Sequence, residues 1–437
     1  MATQVYISKD PMAEDIKRFV IVGGGFAGVT LAQRLESSLP SQMEIVVLSA
    51  ENHLVFTPML PEVVGRTISP FDVVVAGRTL TRRTKWLEAH VNRIDREKGE
   101  AHYVRKDGTA GSMHYSHLVL ACGAAADLAE IPGLASRGYA LKTVIDAIEM
   151  GDDVIGNFEL AASEPDPSVR QRLLTVVVIG GGFSGVEVAG HISDLMQAIR
   201  RFYPELKSTP HRIVLLHKGD HLLPELNHRS LSGFTLRKLR QNKVDVRLKT
   251  TADKATSVAV QLASGERIET GMIVCTVGTK THPLIKGLGI PLEKGRLTTD
   301  PDMRVEGAPN LWALGDCSLV PNAYTGRPCP ATAQFATEQA RQLAKNLERV
   351  SQGAATKPFN FRPRGMLASI GHRNAVAEIY GVKLSGFVAW FLWRGIYLAK
   401  LPTLSRKIEV AIGWACAIPF PPNIVQLRLP SKESRKA

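Results

Sequence analysis

The sequence predicts two doubly wound α/β domains, and three observations carry that prediction. The stretch IVGGGFAGVTLA at residues 21–32 returns, nearly unchanged, as VIGGGFSGVEVA at 178–189. Each copy follows an apolar run of strand length, Phe19 to Val22 and Val176 to Ile179, and leads into a helix-like stretch. A chain of 437 residues is also too long for one compact core and long enough for two or three domains.

The first loop spaces Gly23, Gly25 and Gly28 as G-x-G-x-x-G, and the second spaces Gly180, Gly182 and Gly185 likewise. In such a strand–turn–helix unit the first glycine permits the turn and the second lets backbone approach a pyrophosphate. The third lets helix pack on strand, while the helix N-terminus attracts phosphate. Two copies in the right context point to two Rossmann-like domains and two bound dinucleotides. Further along, YSHLVLACG (Tyr115 to Gly123) and NLWALGDCS (Asn310 to Ser318) are apolar strands ending in small-residue turns. Asp316, at the second of these ends, can bond the polyol chain of a flavin or cap a helix.

Composition narrows the partners. The chain is 44% hydrophobic and 22% charged with a net charge of +13, which admits nucleic acid, an anionic membrane surface or phosphorylated small molecules. No helix-turn-helix, finger or aromatic-sheet pattern organises the basic residues, so no nucleic-acid partner is expected. The five cysteines form no C-x-x-C pair and no zinc-like spacing, so neither metal nor disulfide framework is expected. Nothing in the polar N-terminus reads as a signal peptide or transmembrane helix.

Together these elements resemble the two-dinucleotide flavoproteins (pyridine nucleotide-disulfide oxidoreductase-like), and within them the type II NADH dehydrogenases, single-subunit NADH:quinone oxidoreductases that pump no protons. The resemblance runs from GGGFAG through ENHLVFTPMLPEV (51–63), LVLACG, GGGFSGVE, CTVGT (275–279) and LWALGD. It continues through PATAQFATEQA (330–340), RGMLASIGHRNAVAEI (364–379) and GFVAWFLWRGIYLAKLP (386–402), and these last three segments are the specific ones. It implies an FAD domain from residues 15–145 and 290–350, interrupted by an NAD(P)H domain at 150–285, with a membrane-association and dimerisation region at 356–437.

It also implies roles. Gly23, Gly25, Phe26, Gly28, Glu51, Pro58, the Val91–Asn92 step, Cys122, Gly123, Asp316 and Ala333 would hold FAD. Gly180, Gly182, Gly185, Glu187, His217, Lys218 and Gly278 would hold NADH. Glu187 would position the nucleotide and supply protons to the quinone; its alternative is a carboxylate stabilising a helix N-terminus. Gln334 and Gln339 would face the quinone, on a helix started by Pro330.

Three positions depart from the family pattern. Ser49 stands where an aspartate usually receives the FAD ribose, leaving Glu51 to do so. His217 stands where NADH-specific members carry glutamate, and with Lys218 it would tolerate a 2′-phosphate, so NADPH is a possible second donor. Glu338 replaces a common glutamine.

Neither GFVAWFLW nor VAIGWACAI is long enough to span a bilayer. From Lys383 onward nine Lys/Arg stand against two Glu, beside Trp390, Trp393 and Trp414, a pattern that fits an interfacial segment on an anionic leaflet. The expected protein is therefore a peripheral enzyme on the cytoplasmic face of the inner membrane, a homodimer, passing electrons to ubiquinone or menaquinone. Its rivals are a soluble NAD(P)H oxidase, a sulfide:quinone oxidoreductase-like enzyme and a non-catalytic flavin-binding sensor.

Overall fold

A computed structural model describes residues 17–226 and 228–426. The chain divides into two compact units. The first gathers the described part of Met1–Leu54 with Val75–Ala125 and Thr279–Arg362; the second gathers Val55–Val74, Ala126–Gly278 and the described part of Pro363–Ala437.

In the first unit an eight-stranded sheet has a parallel centre, in which Arg18–Val22 lies between Glu44–Ser49 and His117–Leu120. Lys85–Asp95 extends that centre on one side and Ala308–Ala313 on the other, both parallel to their neighbours. Strands buried on both faces should read as unbroken aliphatic runs, and VIV and IVVL do. Helix Phe26–Ser38 covers one face together with Ala333–Ser351, burying Leu31, Leu35, Leu343 and Leu347 with Trp312.

The second unit repeats the plan with five parallel strands. Thr175–Ile179 is central, between Met272–Cys275 and Arg212–Leu216, with Val244–Arg247 and Gly138–Tyr139 at the edges. Helix Phe183–Ile199 follows the central strand. The predicted fold class is the observed one.

The C-terminal segment opens on strands before its two helices. Gly365–Gly371, Asn374–Ile379 and Val382–Gly386 form an antiparallel meander before helices Phe387–Lys400 and Leu404–Cys416. Of the tryptophans expected at an interface, Trp393 and Trp414 are buried and only Trp390 is part-exposed, because their rings pack inside the unit. Arg428, Lys432, Arg435 and Lys436 of the basic tail lie outside the described residues, as does most of the N-terminal stretch read for a signal peptide.

Candidate active site

Both glycine loops have the geometry their spacing demands. Gly23 has φ of +114°, and a Cβ there would stand 2.3 Å from the Ala121 carbonyl oxygen; Gly180 has φ of +116°. A Cβ on Gly28 would lie 1.9 Å from Gly23 O, and one on Gly185 would lie 1.8 Å from Gly180 O. Strand and helix therefore approach too closely for any side chain. A Cβ on Gly25 meets nothing within 4 Å, leaving open space at the N-terminus of helix Phe26–Ser38, where a pyrophosphate fits. Gly123, with φ of +68°, likewise faces open space. The first loop thus fits FAD.

Around that loop, Ser49 is buried with its Oγ against Gly24, and the Glu51 N–H donates to that Oγ at 3.4 Å. The Glu51 side chain is left exposed. Val91 is buried beside a register shift that leaves Asn92 exposed. Asp316 lies on a single 3-10 turn after strand Ala308–Ala313, so it is not the N-cap of a long helix. Cys122 and Cys317, separate in sequence, share a hydrogen bond, and that bond together with burial pushes the Cys122 thiol well above its usual range. Neighbouring strand ends bring the two together. Pro58 is the second residue of the short Thr57–Met59 turn of the second unit.

The Ala333 helix departs from expectation. Pro330 does not start it: the Thr332 hydroxyl caps it by accepting the Phe335 N–H at 3.4 Å, and Ala333 is the first helical residue. Gln334 is half-buried in the first turn. Gln339 is buried, its amide oxygen accepting the Gly315 N–H at 2.8 Å, and its side chain also bonds Cys329. With its oxygen on the Gly315 N–H and its side chain also bonded to Cys329, Gln339 positions the Asp316 turn. Glu338 pairs with Arg341 at 2.5 Å.

In the second unit, the Gly181 N–H donates to His217 Nδ1 at 3.1 Å, so that nitrogen carries no proton and the ring is neutral. Burial also lowers the His217 pKa. The imidazole therefore supports the loop, and Lys218, next to it in sequence, is exposed. Sequence reasoning missed Glu225, whose Oε1 stands 2.5 Å from where a Cβ on Gly182 would be; its side chain is exposed and can swing aside. Gly278, with φ of +81°, accepts the Asp127 N–H at 3.2 Å.

Glu187 sits one turn into helix Phe183–Ile199 and is buried. The Ser369 N–H, from strand Gly365–Gly371, donates to its Oε1 at 3.0 Å. Burial pushes its pKa up to about 8, with nearby Glu62 adding to the rise, so the carboxyl is protonated at neutral pH. Glu62 is equally buried; Trp414 Nε1–H donates to it at 2.7 Å and Arg394 lies 3.7 Å away. Those partners only partly offset desolvation, and its pKa rises to about 7. Arg394 in turn stacks over Trp390 and Trp414, 4.1 and 4.5 Å from the ring centroids. Burial thus brings both carboxyls toward the neutral range, where a side chain can take up or release a proton. Among the described residues, no group of three or more His, Cys, Asp and Glu is placed to hold a metal.

Comparison with known proteins places the chain in a class. Residues 17–340 match the pyridine nucleotide-disulphide oxidoreductase family, and the chain belongs to it. Residues 364–419, which carry Ser369, Arg394 and Trp414, match the NDH2 C-terminal domain, so the resemblance to type II NADH dehydrogenases stands. The chain is 29% identical over 416 residues to a probable NADH dehydrogenase of Dictyostelium discoideum, covering 92% of this chain and 90% of that one. It is 29% identical over 415 residues to the type II NADH:quinone oxidoreductase NdhA of Mycobacterium tuberculosis, covering 91% and 86%. The structure of NDH2 from Plasmodium falciparum in complex with NADH superposes with a TM-score of 0.86 at 18% identity, covering 94% and 99%, a likeness of fold.

Proposed function

We propose that this protein is an FAD-dependent NAD(P)H:quinone oxidoreductase of the type II class. The observation that carries the reading is the buried Glu187 carboxyl, bonded by Ser369 of the NDH2 C-terminal segment and set at the start of the second dinucleotide helix. FAD held at the first loop would supply the redox chemistry, accepting hydride from the nicotinamide and returning two electrons to the quinone. NADH, a quinone and one proton thus give NAD+ and quinol, so one proton of each pair enters from solvent.

The residues of this chain bind, orient and move that proton. Gly23, Gly25 and Gly28 with Asp316 receive FAD, and Gly180, Gly182 and Gly185 receive the nicotinamide nucleotide. Glu187, protonated at neutral pH, donates toward the quinone and is refilled. Gln334 offers an amide to a quinone oxygen, and Lys218 admits NADPH beside NADH.

The protein works against an anionic membrane surface, on its cytoplasmic face, as a homodimer. No described helix is long and apolar enough to cross a membrane. Phe387 and Phe391 on one C-terminal helix, and Leu404, Ile408 and Ile412 on the next, are exposed at four-residue spacing. Such apolar stripes suit shallow burial in a leaflet.

The test is electron partition. Aerobic turnover with excess short-chain quinone should direct electrons to quinol; turnover that makes peroxide or water at the same rate with and without quinone would favour an oxidase.

A further inference from the structure

A cavity of about 670 Å³ lies within the second unit, lined among others by Glu62, Gly65, His191, Asp194, Ser369 and Arg394. It reaches the face of helix Phe183–Ile199 on which Glu187 sits, because positions 187, 191 and 194 follow one another at helical spacing. His191 is buried, its Nε2 is 3.4 Å from Ser369 Oγ, and its Nδ1 meets no protein hydrogen-bond partner among the described residues. Gly65 keeps the ground beside Nδ1 clear, since a Cβ there would stand 3.2 Å from it.

We infer that His191 and Ser369 form a relay carrying the solvent proton of quinol formation from this cavity to Glu187. The inference rests on Glu187 being the proton donor proposed above. A proton from cavity water adds at Nδ1 as the Nε2 proton passes to Ser369 Oγ. In the same step the hydroxyl's own proton passes to the Glu187 carboxylate, which the same residue's N–H already holds, and rotation of the serine hydroxyl then restores its starting orientation. No electrons move and no other bond breaks, and a tautomer shift of the ring resets the relay.

The surroundings suit neutral transfer. His191 faces Asp194 on its own helix and Arg394 from the C-terminal helix, while Glu187 faces Glu62 and Tyr397. Burial holds the imidazole neutral, with a pKa lowered to about 4, so it passes protons without storing charge.

The test follows the proton directly. In the holoprotein, the infrared carbonyl band lost in Glu187→Gln identifies the protonated carboxyl, and mixing into D2O times its exchange. His191→Ala and Gly65→Ala should each slow exchange at least tenfold; the Gly65 backbone, at φ of −73°, accepts alanine. Imidazole at tens of millimolar should restore exchange in His191→Ala and leave Gly65→Ala slow. The quinone half-reaction should slow alongside, with a larger solvent isotope effect. Exchange at the parental rate in both variants, or slowing that imidazole does not relieve in His191→Ala, would overturn the relay. If Glu187→Gln itself leaves the quinone half-reaction unchanged, the underlying donor assignment fails instead.

Discussion

The Ser369 N–H donates to Glu187 Oε1 at 3.0 Å, joining the helix after the second glycine loop to the C-terminal meander. That bond holds a carboxyl where burial keeps it protonated to about pH 8. The quinone half-reaction should therefore fall as pH rises through 8, while Glu187→Gln should be slower by about 10- to 100-fold and flat with pH. Anaerobic reoxidation kinetics from pH 6 to 9 would show this, and a variant retaining the parental pH profile would contradict it.

Burial raises Glu187 and Glu62, whose ordinary value is 4.5, to about 8 and about 7. The folded chain holds protons that the unfolded chain releases above that ordinary value. The stability they contribute is full below about pH 4.5 and is lost as pH rises through 7 and 8. Each tenfold gain in proton affinity on folding corresponds to about 1.4 kcal/mol. Urea unfolding at pH 6 and pH 9 should show a smaller loss in Glu187→Gln than in the parent. Equal losses would refute the assignment.

The approach of helix to meander depends on Gly190. A Cβ there would lie 2.2 Å from the Ile370 carbonyl oxygen, a backbone atom that cannot turn aside. Gly190→Ala should lower stability by about 1–3 kcal/mol, although alanine is the better helix former. An unchanged urea midpoint would show that the two elements part freely.

Much of this was legible in the sequence because backbone geometry leaves few choices. Gly23 and Gly180 must adopt positive φ, and Gly28 and Gly185 must let strand and helix touch, so both loops announced themselves. Glu187 was found from its place beside the second loop. Its surroundings were not legible: Trp414 and Glu62 are 352 positions apart, and Ser369 and Glu187 are 182 apart. No local pattern marks a contact that only tertiary packing makes. The start of the Ala333 helix was misplaced because the Thr332 cap outweighs Pro330 as a start signal. The bond from the Gly315 N–H to Gln339 was not legible either, because a motif gives a residue type without saying which groups it bonds.

The two first-loop glycines at positions 23 and 25 should separate folding from flavin binding. Gly23→Ala forces a Cβ against Ala121 O and should give little folded protein, whereas Gly25→Ala points into open space and should fold but bind FAD at least tenfold more weakly. Circular dichroism with flavin fluorescence distinguishes the two, and equal flavin content in Gly25→Ala and parent would move the pyrophosphate elsewhere.

Nucleotide choice should rest on Lys218, since His217 is held neutral by the Gly181 N–H. Lys218→Ala should slow flavin reduction by NADPH about tenfold and by NADH less than threefold. Equal effects on both donors would place the 2′-phosphate away from this residue.

Electron transfer from a nicotinamide nucleotide to a quinone is tested most directly by anaerobic stopped-flow mixing. NADH should bleach the bound flavin within seconds, and a short-chain quinone should restore its colour in a second mixing. A flavin that stays oxidised under millimolar NADH and NADPH, or that once bleached is indifferent to quinone, would contradict the proposed function.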